Sequence, residues 1–132
     1  MFIDDLKDVV SQEILIAAKL LKAGSPQGYE YLRAALGHAI FFAHDDKAIF
    51  YLQHVLGTMR QEVILAVAQD DKTILIEIGK KLELIGKMLV EGKDNEILEL
   101  TTEIGLLVEK AWRKVIQSPK GPIVTAPILK IG

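Results

Sequence analysis

The sequence predicts an all-α protein, either a five-helix antiparallel up-down bundle or a short array of helical hairpins, followed by an extended C-terminal arm. Two observations support this fold class: apolar residues recur every three or four positions over long stretches, and glycine, proline or aspartate separates these stretches. A third is an internal repeat, in which Leu36–Gly57 aligns without gaps on Ile85–Leu106 at a shift of 49 residues. Each copy contains the end of one helix, a tight acidic turn and most of the next helix.

The first two helices are separated by clear stop and start signals. Apolar residues at helical spacing from Leu6 to Leu21 predict helix one over about residues 5–23. Gly24 is typical of a left-handed helix cap, and Pro26 is typical of the first position of a new helix. Helix two is therefore predicted over about residues 26–43.

Three further helices follow in the same way, over about residues 47–68, 72–91 and 95–117. The turns between them are short and acidic, and each offers an aspartate to cap the next helix: His44–Asp46, Gln69–Asp71 and Gly92–Asp94. Connections this short place sequential helices side by side and antiparallel. Residues 1–119 are accordingly predicted to form a single helical domain.

Five glycines lie inside the predicted helices, where each costs about 1 kcal/mol relative to alanine. They are Gly37, Gly57, Gly79, Gly86 and Gly105. We expect close contacts between helices at these positions, and Gly79 and Gly86 are seven residues apart on one helix face.

The segment 120–132 has a different character, with Pro122 and Pro127 among β-branched residues. We expect it to be an extended arm whose apolar side chains pack across a dimer.

Composition narrows the class of protein. The net charge of -2, from 16 basic and 18 acidic residues, does not suggest binding to nucleic acid or anionic membranes, and acidic residues interleaved with the basic ones in the last two helices disfavour nucleic acid as a partner. The absence of cysteine excludes thiolate catalysis, zinc-thiolate sites and disulfides, and favours a reducing, cytoplasmic location. No apolar run is long enough for a membrane span. A single asparagine with abundant Ile, Leu, Lys and Glu resembles the composition of proteins from hot environments.

The three histidines, His38, His44 and His54, all fall in one predicted hairpin. None has a glutamate three residues before it, which excludes the Glu-x-x-His pattern of di-iron bundles. A looser metal site from His44 with Asp45 or Asp46 remains as one interpretation; the other is a solvated turn in which an aspartate caps helix three.

Two resemblances to known families involve this hairpin. Arg33 and His38 have the Arg-x4-His spacing of HEPN ribonucleases, and this resemblance implies a catalytic pair; five residues along a helix, however, turn by about 140°. The small and large residues from Leu36 to Leu52 resemble a tetratricopeptide helix pair, which implies a protein-binding scaffold.

Six of the eight aromatic residues lie between positions 29 and 51, in a region poor in charge. A helix that is apolar on all sides must be covered on all sides, either by its own domain, by a second copy of the chain or by a small-molecule ligand. We favour a homodimer through helices two and three, with Phe41, Phe42, Phe50, Tyr51 and His54 as the interaction surface.

The predicted function is therefore that of a non-enzymatic interaction or scaffold protein that needs no cofactor and binds itself or another protein. The alternative is a metal- or nucleotide-handling enzyme, including a HEPN-like ribonuclease, that uses Arg33, His38 and His44.

Overall fold

A computed structural model describes the backbone of residues 2–117 and the side chains of residues 5–117. Within that range the chain forms six α-helices and no β-strand: α1 Phe2–Lys22, α2 Tyr29–Ile40, α3 Lys47–Thr58, α4 Gln61–Asp70, α5 Lys72–Glu91 and α6 Asp94–Ile116. The all-α prediction is confirmed for these residues, although they form six helices and five were predicted. The extended arm predicted over 120–132 and the domain boundary at residue 119 lie outside the described residues.

The connection between α1 and α2 follows the predicted stop and start signals. Gly24 has a left-handed φ of 80°, and the backbone N–H of Ser25 donates to the Leu20 carbonyl at 2.9 Å. A left-handed residue just after a helix satisfies carbonyls that the helix leaves without partners. Pro26 then opens a short 3-10 turn, Pro26–Gly28, which leads directly into α2.

Helix α2 ends at Ile40, three residues before the predicted end, and this shifts the following turn. Residues 41–45 form the turn, and Asp46 caps α3 by accepting a hydrogen bond from the backbone N–H of Ile49 at 3.1 Å. The same carboxylate lies 2.9 Å from Lys7 Nζ on α1. Asp46 therefore both starts α3 and attaches the turn to α1.

The third predicted helix, residues 47–68, is two helices in the structure. The chain leaves helical geometry at Met59, with φ -93° and ψ 57°, and α4 begins at Gln61. Just before the break, the Thr58 hydroxyl donates to the Val55 carbonyl at 2.7 Å, a local bond that often bends a helix. By changing direction, α4 contacts both α5 and α6 and buries five apolar side chains, Val63, Ile64, Ala66, Val67 and Ala68. Gly57, two residues before Met59, weakens the helix locally, and burial of α4 accounts for the new direction of the chain.

The most extensive contact between two helices joins α1 and α5, which are far apart in sequence. The Ser11 hydroxyl donates to the Gly86 carbonyl at 2.6 Å, whereas Lys22, at the other end of α1, lies 2.9 Å from Glu83. Residue numbers rise along α1 as they fall along α5, so the two helices are antiparallel. The predicted up-down order pairs only helices that follow one another in the sequence. It therefore does not include the pair of α1 and α5.

Two glycines of α5 make the close approach to α1 possible, as predicted. A Cβ atom at Gly79 would lie 2.8 Å from the backbone nitrogen of Lys22 and 3.0 Å from the carbonyl oxygen of Ala18. At Gly86 the obstruction would be the Leu15 side chain, also at 2.8 Å. Backbone atoms cannot move aside as a side chain can, so glycine is more strictly required at position 79 than at position 86.

Replacing Gly79 with alanine is expected to lower the free energy of unfolding by about 2 kcal/mol, because overpacking of up to about 3 kcal/mol outweighs a gain of about 1 kcal/mol in helix propensity. Chemical denaturation measures this change. The matched control is Gly37→Ala on α2, where an added Cβ would meet no atom within 4 Å and should raise stability. Equal effects of the two substitutions would contradict the proposed role of Gly79.

The other internal glycines do not have the predicted role. At Gly37, Gly57 and Gly105 an added Cβ atom would have no neighbour within 4 Å, so these glycines are not sites of close helix contact. The difference also bears on the internal repeat, which aligns Gly37 with Gly86. The two hairpins differ in their turns as well, because residues 41–46 connect α2 to α3 whereas only Gly92 and Lys93 connect α5 to α6.

Buried side chains from all six helices form one hydrophobic core. Helix α6 packs on α3, α4 and α5, and α2 packs on α1 and α3. Helix α3 thus contacts α2 and α6, and the side of α3 that carries Phe50 and His54 is left exposed.

Candidate interaction surface

The exposed side of α3 carries a cluster of ring side chains. The Phe50 ring meets the His54 ring edge to face at a centroid distance of 5.1 Å, and it meets the Tyr51 ring at 6.2 Å. Lys47 Nζ lies 5.9 Å from the centre of the Tyr51 ring, within the range of a cation–π contact. Phe50 and Tyr51 each lie three or four positions from Lys47 and from His54, so the four residues share one side of the helix. The opposite side of α3 is in the core.

The turn before α3 adds the most exposed large apolar side chain among the described residues, Phe41, of which 77% is accessible. Its neighbour Ile40 is 56% exposed, and Phe50 on α3 is 39% exposed. Phe42 differs, because it is only 3% exposed and belongs to the core. Among the residues predicted to form the interaction surface, Phe42 is therefore not available to a partner.

A groove between α3 and α6 continues from this ring cluster. Its first part, about 290 Å³, lies between Tyr51 and His54 on α3 and Thr102 and Gly105 on α6. The second part, about 680 Å³, shares Gly105 with the first and extends to Trp112. We call these two hollows together the α3/α6 groove.

The α6 side of this groove was not predicted from the sequence. The available signal was the pair Gly57 and Gly105, one on each helix, whose missing side chains leave space at the groove. Leu106, next to Gly105, is 63% exposed. Apolar exposure on α6 thus adjoins the α3 surface, although the two are far apart in sequence.

The structure gives each histidine different surroundings. His38 Nδ1 lies 2.8 Å from Glu13 Oε1 on α1, His44 is exposed in the turn, and His54 belongs to the ring cluster. No group of three His, Asp or Glu side chains that could hold a metal ion is found among the residues the structure describes. In the metal site considered from sequence, Asp46 is already engaged by Lys7 and by the start of α3.

Arg33 and His38, the pair with HEPN spacing, make contact with different parts of the protein. Arg33 lines a cavity at the junction of α3 and α4, whereas His38 faces Glu13 on α1. A regular helix separates them by about 140°. The described geometry thus supplies no shared site for the two side chains.

Among residues 5–117, two carboxyl groups have pKa values that depart from the ordinary range, and both lie outside the ring cluster. The hydrogen bond from the Thr73 hydroxyl, followed by that from the Thr73 backbone N–H, lowers the pKa of Asp71 at the start of α5. The hydrogen bond from Lys22 lowers the pKa of Glu83. Because folding lowers these two pKa values, each carboxylate stabilises the folded state at pH values above its ordinary pKa. This stabilisation is lost as the pH falls through the lowered pKa of the folded state.

Comparisons with known proteins give no match: no protein-family model, no curated protein and no solved structure matches this chain. Over the described residues, none of the helices combines the length and apolar character required to cross a membrane.

Proposed function

We propose that this chain is a non-enzymatic interaction protein that associates as a homodimer through the α2–α3 hairpin. The proposed contact surface contains Phe41, Phe50, Tyr51 and His54, and we call it the hairpin surface. The observation that carries the proposal is the 77% exposure of Phe41, an aromatic side chain placed in a turn where it has no role in the core of its own chain.

The chemistry of the hairpin surface supports association. Aromatic side chains are enriched at protein interfaces because each contributes a large apolar area at a small cost in conformational entropy. The ring cluster on α3 is held by its own edge-to-face contacts, so little further ordering is needed on binding. Exposed His44 and Asp45, in the same turn as Phe41, provide polar groups for the rim of an interface.

A second copy is the partner that this surface suits best. In a two-fold symmetric dimer every residue of the surface is used twice, so Phe41 and Phe50 of both copies would be covered together. An exposed apolar residue thus contributes to association from both sides of the interface. Most of the other exposed apolar residues among those described, such as Val9 and Ile16 on α1, are aliphatic; the aromatic exception is Tyr31 on α2, which is 38% exposed.

Sedimentation equilibrium of the full chain, from micromolar to millimolar concentration, tests the proposal. The expected result is a reversible shift from the chain mass of 14.6 kDa to twice that value. A single species at the chain mass over the whole range would contradict it.

A further inference from the structure

A cavity separate from the hairpin surface lies where α2 faces the junction of α3 and α4, with a volume of about 250 Å³. Its apolar wall consists of Leu36 from α2 together with Leu56 and Met59. Leu56 and Met59 are each 2% exposed, so this wall is an opening onto the core. The cavity exists because the chain changes direction at Met59, where a continuous helix was predicted.

Two of the three charged side chains at the cavity are basic. Arg33 from α2 and Arg60 from the junction both line it, and Glu62 is the one acidic residue among its lining residues. Arg60 Nε lies 3.9 Å from Glu62, at the outer limit of an ion pair. Arg33 has no carboxylate within 4.0 Å in the described part of the chain. The cavity thus has an excess of one positive charge, and Tyr29 adds a phenolic hydroxyl.

We propose that this cavity binds a small organic anion. The apolar part of the ligand would contact Leu36, Leu56 and Met59, and its carboxylate or phosphate group would accept hydrogen bonds from Arg33 and Arg60. Guanidinium groups suit both of these anions, because their planar N–H donors match two acceptor oxygens at once.

The size of the cavity limits the ligand. Sites for drug-sized molecules typically have volumes of about 300–1,000 Å³. A cavity of about 250 Å³ is slightly smaller, and it fits a short-chain carboxylic acid or a small phosphate ester. This binding does not require the homodimer, because the lining residues are not those of the hairpin surface.

Titration of the isotope-labelled full chain, followed by NMR, tests the proposal with hexanoate and hexyl phosphate as probes. At least one probe is expected to cause saturable shifts at the backbone amides of Leu56, Met59 and Arg60. Hexanol has the alkyl chain without the charge and acetate has the charge without the chain, so both are expected to bind at least about tenfold more weakly. The preference between the two probes identifies the anionic group.

Arg33→Gln is expected to lower the affinity for the better probe roughly 10- to 100-fold, as removal of a charge-assisted hydrogen bond does. Arg33→Lys, which retains the charge, should recover part of the affinity. The matched control is Arg113→Gln on α6, which makes the same change at an exposed arginine paired with Glu109 and should leave affinity unchanged. Arg33 is exposed, so its variants are expected to fold, and circular dichroism verifies this.

Three results would overturn the proposal. One is the absence of saturable shifts with both probes, another is equal affinity for hexanol and the better of the two probes, and the third is equal loss of binding in Arg33→Gln and Arg113→Gln. Failure of the homodimer proposal would leave these expectations unchanged, because they concern different residues and a different measurement.

Discussion

Phe42→Ala is expected to lower the free energy of unfolding by about 3–5 kcal/mol, whereas Phe41→Ala is expected to change it by no more than about 0.5 kcal/mol. The two residues are identical and adjacent, yet Phe42 is 3% exposed and Phe41 is 77% exposed. Truncation at Phe42 removes a buried ring and leaves a cavity in the core. Truncation at Phe41 removes a ring that contacts mainly water in the isolated chain.

Urea denaturation measures both changes, at a protein concentration low enough that association does not contribute to stability. Each variant should retain the helical circular dichroism of the unmodified chain before denaturation. Similar losses at the two positions would show that Phe41 is also part of the core, and the hairpin surface would then lose its most exposed residue.

Phe41→Glu is expected to weaken homodimerisation roughly 100-fold or more, and Phe41→Glu with Phe50→Glu should leave a monomer. Burying a phenylalanine contributes about 1.5–3 kcal/mol, and a symmetric interface contains the residue twice. A loss of about 3 kcal/mol corresponds to a change of roughly 100-fold in the dissociation constant. Two carboxylates placed in an apolar contact would add a desolvation cost.

The matched control for Phe41→Glu is Val90→Glu on α5. Val90 is 57% exposed, so this variant introduces the same charge at an exposed apolar position outside the hairpin surface. Sedimentation equilibrium should show an unchanged dimer for Val90→Glu and a monomer for the double variant. If Val90→Glu lost the dimer and the Phe41 variant kept it, the interface would lie on α5 and not on the hairpin surface.

Much of the local structure could be predicted from the sequence because it depends on residues close together in the chain. Gly24 and Pro26 separate α1 from α2 through the backbone conformations that they allow. Gly79 and Gly86 indicated a close helix contact because glycine is costly inside a helix unless space requires it.

Other features depend on contacts between distant residues and could not be read from local patterns. Gly57 lies two residues before the break at Met59, but glycines also occur inside unbroken helices of this chain, and burial of α4 against α5 and α6 determines where the break falls. The pairing of α1 with α5 likewise joins segments that the predicted order kept apart.

The candidate surface was predictable only in part, for the same reason. The low charge and high aromatic content of the sequence identified the hairpin. From sequence alone, Phe41 and Phe42 could not be distinguished; in the structure α2 ends at Ile40, and Phe42 is buried whereas Phe41 is exposed. The α6 side of the groove was not predicted, because Gly57 and Gly105 each indicate space on their own helix but do not indicate that α6 packs beside α3.

The most direct test of the homodimer is an isotope-filtered NOE experiment on a mixture of labelled and unlabelled chains, which detects only contacts between two copies. The expected result is a set of intermolecular NOEs from the rings of Phe41 and Phe50. Intermolecular NOEs confined to other helices, or none at concentrations where a dimer is expected, would contradict the proposal that the hairpin surface holds two copies together.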